Sequence, residues 1–463
     1  MDAAYLFAKN FKTIQFTDLP KDLVEATKKQ ILDFFGVAFG GATKPGGKEL
    51  RELSLEWGGA KQSRVMSWGD WLPAPNAAQI NASMGHSLDY DDVHEAAVMH
   101  PGVVTIPTVL ALADLLGGIS GKEFITAVAL GGDFICRLGL ATRPGENIHL
   151  FGWHFTTLNG YKTSAAVAGR LLGLTEEQIV DAIGIAYHQC SGNGQPVKDG
   201  ALTKRLGPGF SVRGGIQAAL LAQKGVTGAK NSLEGLAGYY QVYHMGHYSQ
   251  EILTKDIGKH FESINISIKP YPCCRGVHPF IDAALNLVHQ HAIQADDVAS
   301  IHIWCGIGTH GLLGIPLEVK AKPRNQVDSQ FSLAWGVATA IVKRRAGLDD
   351  FTEEAIHNQT ILAMAAKVSL DHDPELDRAD DIEPARVEIK TKSGQTYTEF
   401  VEHATGTPEK PLSYEDCEKK FRDILSTAER QVPEAHAAKV IDLVKNLDQV
   451  ADMKELIDVL SWH

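Results

Sequence analysis

The sequence predicts a mainly α protein, in which a large all-α helical domain is built from both chain ends (residues 1–265 and 405–463) and a smaller α+β lid domain (residues 266–404) is inserted between them. Three observations predict it. Through the first half, apolar residues recur at helical spacing behind recognisable caps. Near residue 261 the period shortens to two, the alternation of a half-buried strand. After Gly406 the helical period returns, so the two ends read as one helical layer and the middle as an insertion.

Taken in order, Leu23, Ile31, Phe34 and Phe35 give an apolar face between Thr17 and Gly41, with Asp18 as candidate cap, Pro20 behind it and Gly40-Gly41 as the stop. Residues 103–119 (VVTIPTVLALADLLGGI) read as a buried helix. Thr105, Pro107, Thr108 and Asp114 interrupt them, and they fall short of the roughly 18 apolar residues of a membrane span. Capping boxes, Ser120 with Glu123 and Thr175 with Gln178, precede FITAVAL and IVDAIGIAY. The stretch from Ala165 to Gly173 and GIQAALLAQKG after Gly214 are rich in small residues, which suits close helix packing within a subunit or across a homodimer. FESINISIK places Ile264, Ile266 and Ile268 on one strand face, and Ile301 and Ile303 repeat the alternation. RVEIKTKSGQTYTEF turns at Ser393-Gly394 between Val387, Ile389 and Tyr397, a hairpin pattern, and FSLAWGVATAIV is a helix among these strands. Phe421, Ile424 and Leu425 after Ser413, then Val440, Ile441, Val444 and Leu447, close the chain with helices. No fixed-period repeat argues for a solenoid.

Composition narrows the function. The 463 residues carry 44 Lys and Arg against 56 Asp and Glu, a net charge of −12, with 44% hydrophobic residues. That is a globular chain and not a nucleic-acid binder, since phosphate contacts need a basic surface. The N-terminus shows no secretory signal pattern, and no membrane association is expected. The six cysteines include no C-x-x-C pair, so a reducing, cytoplasmic setting is expected.

Four polar clusters stand out. GHSLDYDDVHEAAVMHPG holds His86, Asp89, Asp91, Asp92, His94 and His100. His86, Asp89 and His94 are conceivable metal ligands, but the set suits proton transfer and substrate binding better, or simple pairing and capping of the helix after Pro101. In FGWHFTTLNG, His154 stands among aromatic residues and on its own reads as a core histidine. QPVKDGALTKRLGPGFSVRGG gathers Lys198, Lys204, Arg205 and Arg213 around glycines. It reads as a loop that brings cations close to an anion, with solvated surface charge as the plainer alternative. It lacks any nucleotide-binding fingerprint. KPYPCCRGVHPF sets Cys273, Cys274, Arg275 and His278 at the start of a helix, where the cysteines fit buried filler better than a nucleophile. Together these residues suit abstraction of a proton next to a carboxylate: histidine supplies a base near neutrality, and Lys and Arg offset the developing charge.

On GHSLDYDD, the HPG at His100, GWHF, ALTKRLGPG and KPYPCC with its following histidine, the chain resembles the MmgE/PrpD family. That family includes 2-methylcitrate dehydratases, cis-aconitate decarboxylases and an iminodisuccinate epimerase. The resemblance implies a cofactor-free, metal-independent lyase, usually a homodimer, acting on a small anionic di- or tricarboxylate. It implies His100, His154, Lys204, His278 and Asp89 as catalytic residues, with Asp89 orienting an imidazole, and Lys204, Arg205, Arg275 and His86 in substrate binding. Val93 stands where the aconitate decarboxylase branch carries threonine, and the longer spacer of dedicated 2-methylcitrate dehydratases after the acidic motif is also missing, so the chain sits between named branches; a dehydratase of the 2-methylcitrate type is expected first, with decarboxylation or epimerisation as alternatives.

Overall fold

The computed structural model describes residues 1–146, 152–378 and 382–462. Helices make up 58% of it and strands 8%, so the chain is mainly α. It divides into two compact units, Met1–Ile266 with Ser413–His463, and Ser267–Leu412.

The first unit is a packed set of helices: α1 (Ala3–Thr13), α2 (Lys21–Gly41), α3 (Gly47–Trp57), α4 (Ala74–His86), α5 (Gly102–Leu115), α6 (Gly121–Leu140), α7 (Phe155–Leu171), α8 (Glu176–Gln189), the short α9 (Gln195–Asp199) and α10 (Thr203–Gln223). A two-residue pairing, β1 (Ser63–Arg64) with β2 (Trp71–Leu72), is a small departure from the all-α expectation. The helix Tyr414–Thr427 packs against α2, so the C-terminal segment completes this unit. The apolar stretch expected as a buried helix is α5, buried from Gly102 to Ala113 with Pro107 inside it. No described helix is long and apolar enough to cross a membrane.

Local signals behaved unequally. Thr175 and Gln178 form the reciprocal box at α8, and Ser120 caps α6 by accepting from Glu123 N at 3.2 Å. Asp18 does not cap α2. It accepts from Gln15 N at 2.8 Å in the preceding turn, and α2 starts after Pro20 without a side-chain cap. The glycine-rich basic segment is not a loop from residue 203 onward: α10 runs through Gly207, Pro208, Gly209, Gly214 and Gly215. These glycines serve helix packing. A Cβ on Gly215 would lie 2.5 Å from Ser164 Cβ and 2.7 Å from Tyr161 O of α7.

The second unit holds a four-stranded sheet of order β4-β3-β5-β6, from β3 (Val298–Cys305), β4 (Val368–His372), β5 (Ala385–Thr391) and β6 (Thr396–Val401). β3 runs parallel to β4 and antiparallel to β5, and the β5–β6 hairpin turns at Gly394 with φ +88°. Ile301, Ile303, Val387 and Ile389 bury one face against the helices His278–Gln290 and Leu333–Lys343. FESINISIK is not a strand. Glu262–Asn265 is a 3-10 turn, and Ser263 and Ser267 are buried where alternation would expose them.

Ala ordinarily stabilises a helix over Gly by about 1 kcal/mol. At Gly215 the sign is expected to reverse, because the methyl group must push α7 and α10 apart, an overpacking cost of about 1–3 kcal/mol. Urea unfolding of Gly215→Ala checks this through a lowered midpoint.

Candidate active site

Helix α4 brings His86 to its last turn, where Ser87 Oγ donates back to Ser83 O at 2.6 Å and the chain leaves the helix. Asp89 takes a left-handed conformation, φ +53°, which turns the backbone and points the next acidic residues inward. Asp91, 1% exposed, then accepts through Oδ2 from His86 Nδ1 at 2.8 Å and from His100 Nδ1 at 3.1 Å. His100 Nδ1 also donates to the main-chain oxygen of Asp92 at 2.7 Å. A carbonyl can only accept, so His100 carries its proton on Nδ1 and, when neutral, its lone pair on Nε2. The His86 and His100 rings lie 5.0 Å apart, and His154 is 5.7 Å from His86.

His154 occupies the N-cap of α7, with Nδ1 2.6 Å from Thr157 Oγ1. Gly207 of α10 comes so close to Thr157 that a Cβ there would collide with its hydroxyl. One turn earlier, Lys204 pairs with Asp89 at 3.1 Å. The packing of α10 on α7 and α4 thus delivers the cation to the histidines.

The charges settle in a definite pattern. Burial alone would raise the Asp91 carboxyl, but His86 and His100 outweigh it and hold it well below the ordinary range. Burial, then Lys204, pushes His86 down to about 4. His154 is lowered well below its ordinary value by burial and by His86, Lys204 and His100. Burial and the neighbouring Asp91 push Asp92 up to about 7. Asp91 is therefore a carboxylate at neutral pH, with His86 and His154 neutral.

The first unit brings together His86, Asp89, His100, His154 and Lys204. Asp91, and not only Asp89, is the carboxylate on the imidazoles; Asp89 holds Lys204. Arg205, one position on and about 100° round the helix, donates to Pro45 O at 3.2 Å. His94 is a structural histidine: its backbone pairs with Met99, Nδ1 accepts from Ala97 N, and its ring lies 3.9 Å from Glu262, whose carboxyl it helps hold at about 2. The described cluster with metal-like spacing is thus His86, Asp91 and His100, not the set with Asp89 and His94, and its ligand atoms lie within 4.8 Å of one another.

Arg275 and His278 lie in the second unit. Arg275 donates to His278 Nδ1 at 2.8 Å and to Thr405 O at 2.9 Å. A guanidinium has no acceptor, so the His278 proton is on Nε2, where it is given to Cys273 O at 3.2 Å. Both ring nitrogens are engaged, and Cys273 is buried. Sequence reasoning had not singled out Thr157 or Lys420. Thr157 is three residues from His154, a weak local signal. Lys420, from the helix Tyr414–Thr427, donates to Tyr90 O at 2.8 Å, lies 3.8 Å from the Tyr90 ring centre and ion-pairs with Asp33, and no local signal marks it.

Two family models match the chain, the MmgE/PrpD N-terminal domain over residues 6–251 and the MmgE/PrpD C-terminal domain over residues 271–449. The chain belongs to the MmgE/PrpD family. It is a lyase of that type. A cis-aconitate decarboxylase of Aspergillus terreus is 28% identical over 96% of this chain and 93% of its own length. A cis-aconitate decarboxylase of Homo sapiens is 26% identical over 98% and 94%, respectively. The cis-aconitate decarboxylase-like protein oryM of Aspergillus oryzae is 24% identical over 96% and 94%.

His86 and Asp92 make opposite contributions to stability with pH. The His86 value falls on folding from 6.5 to about 4, so its contribution is complete above about 6.5 and is lost as pH drops toward 4. The Asp92 value rises from 3.8 to about 7, so its contribution is greatest at low pH and is lost as pH rises toward 7. In denaturant unfolding between pH 4 and 7, His86→Gln is expected to lose less stability on acidification than the parent, by on the order of 3 kcal/mol. Asp92→Asn is expected to lose less on the rise to neutrality. Parallel pH curves for parent and variants contradict this assignment.

Proposed function

We propose that the chain is a carboxy-lyase acting on cis-aconitate or a closely similar unsaturated polycarboxylate. The observation that carries this reading is the near end-to-end similarity to cis-aconitate decarboxylases of fungal and mammalian origin, which favours decarboxylation over the dehydration expected first. The chemistry of the cluster supports it. Decarboxylation breaks one carbon–carbon bond, releases carbon dioxide and leaves an electron pair on the substrate that must be met by one proton. Elimination of water needs two positioned groups, a base at the carbon and an acid at the leaving hydroxyl.

One imidazole of the first unit suits the role of donor. His100 is partly exposed, and Asp91 and the Asp92 carbonyl accept from its Nδ1, which fixes the ring and leaves Nε2 for proton transfer. His86 and His154, held neutral, bind and shape the pocket and do not compete as acids. Lys204 neutralises a substrate carboxylate while Asp89 orients its ammonium. We infer that the reaction needs no metal or cofactor, and that the working form is a cytoplasmic homodimer.

A second reading, dehydration of a 2-methylcitrate-like substrate, is kept because Val93, a buried side chain without a hydroxyl where the decarboxylase branch carries threonine, counts against decarboxylation of cis-aconitate. Purified protein incubated in heavy water with cis-aconitate, citrate or 2-methylcitrate and followed by NMR separates the two. Carbon dioxide release from cis-aconitate, with one deuterium entering the product, is expected, and so is activity that survives exhaustive chelation. His100→Gln is expected to lower the rate by about 10²- to 10⁴-fold. Water loss from 2-methylcitrate without carbon dioxide replaces the first reading by the second, and turnover of none of the three removes both.

A further inference from the structure

We propose that Asp92 is a positioning residue for His100, and that residue 102 is glycine because Asp92 needs the space. The proposal builds on the reading of His100 as proton carrier. Asp92 is 2% exposed. Its two carboxylate oxygens accept from Gly102 N, the first amide of α5, at 3.1 and 3.0 Å. Oδ2 also accepts from Gln30 Nε2 of α2 at 2.7 Å. The main-chain oxygen of the same residue accepts the His100 Nδ1 proton at 2.7 Å. One residue is therefore gripped through its side chain by two helices and grips the imidazole through its backbone.

Between these anchors the chain makes a narrow loop, closed by His94 N to Met99 O at 2.8 Å and Met99 N to His94 O at 3.3 Å. The loop fixes its own width but not its placement on the helices. Placement comes from Asp92, whose carboxylate caps α5 where unpaired amides and the helix dipole favour it. Because a carbonyl only accepts, seating Asp92 also selects the tautomer that leaves the His100 lone pair, or its transferable proton, on Nε2. A Cβ at residue 102 would lie 2.5 Å from Asp92 Oδ1 and 3.0 Å from Cγ. The demand for glycine there is a demand for room.

The test combines kinetics with a readout that needs no turnover. In the full-length protein, Gly102→Ala and Asp92→Ala are each expected to lower kcat about tenfold to a hundredfold with KM within about threefold. The double variant is expected to fall no further than the worse single one, because both act through one contact. Asp92→Asn keeps an acceptor for Gly102 N and is expected to retain most of kcat. Imidazole ¹⁵N NMR, with the His100 signal identified by its loss in His100→Gln, is expected to show the Nδ1–H tautomer in the parent and a mixed state in Gly102→Ala and Asp92→Ala. If those two do not fold, Gln30→Ala, which removes one donor and inserts nothing, is expected to show the same changes to a smaller degree. An Nε2–H tautomer in the parent, unchanged kcat and tautomer in the variants, or additive losses in the double variant each overturn the proposal. A parent without lyase activity refutes the functional reading, and the NMR result still decides the positioning role.

Discussion

Asp91 is a charge placed almost out of reach of water, and the surrounding chain is arranged to make that tolerable. A carboxylate moved into a protein interior is disfavoured by several kcal/mol unless donors meet it. Asp91 is met by His86 at the end of α4 and His100 just before α5, so both helix ends and the turn between them are tied to one oxygen. That turn is held in place by distant parts of the first unit. Gln30 of α2 donates to Asp92, and Lys420 of the helix Tyr414–Thr427 donates to the carbonyl of Tyr90, between the two carboxylates that matter. Removing a partner would leave a buried charge unmatched, which gives the arrangement its rigidity.

The surplus of acidic residues says little about this cluster. With a screening length of about 8 Å at physiological ionic strength, surface carboxylates contribute weakly to the site, and its potential is set by the few groups in it. Lys204 and its partner Asp89 nearly cancel, Asp91 is shared between two imidazoles, and His86 and His154 are neutral. What remains is the negative charge of Asp91 and the share that Asp92, raised to about 7, carries near neutrality, so the local charge follows from these few residues and not from the −12 of the whole chain.

What the sequence disclosed was local. The Thr175 box, the β5–β6 hairpin and the alternation of Ile301 and Ile303 depend on neighbours a few residues away, and each is present. FESINISIK failed because alternation marks a strand only when an edge is available to pair with, and here a 3-10 turn satisfies the backbone instead. The 203–215 segment failed for the opposite reason: Gly and Pro signal loops, yet Gly207, Gly209 and Gly215 admit neighbouring helices. Among the residues of the cluster, His86, His100, His154 and Lys204 were legible from residue type and resemblance, while His278 of the second unit is engaged with Arg275 and Cys273 O. Asp91 and Asp89 were not separable, because their roles turn on the left-handed backbone at position 89. Lys420 lies 330 positions from Tyr90, beyond any local pattern.

The neutrality of His86 and His154 links binding to chemistry. Both are held down by burial and by positive neighbours, Lys204 foremost among the residues they share. An anionic substrate placed against Lys204 offsets that positive charge, and its own charge favours protonated imidazole over neutral imidazole. Coupling between two ligands is reciprocal, and the proton is one of the ligands: if the anion eases protonation of the cluster, protonation tightens binding of the anion by the same factor. The cluster thus keeps His86 and His154 largely uncharged, which limits repulsion between neighbouring rings. On the proposed reading, the bound polycarboxylate meets an imidazole already ordered by its neighbours: Asp91 and the Asp92 carbonyl accept from His100 Nδ1, which leaves Nε2 for the proton transfer. On the proposed reading, the charge that makes the substrate bind is also the charge that eases protonation of the imidazoles that Lys204 helps to keep neutral.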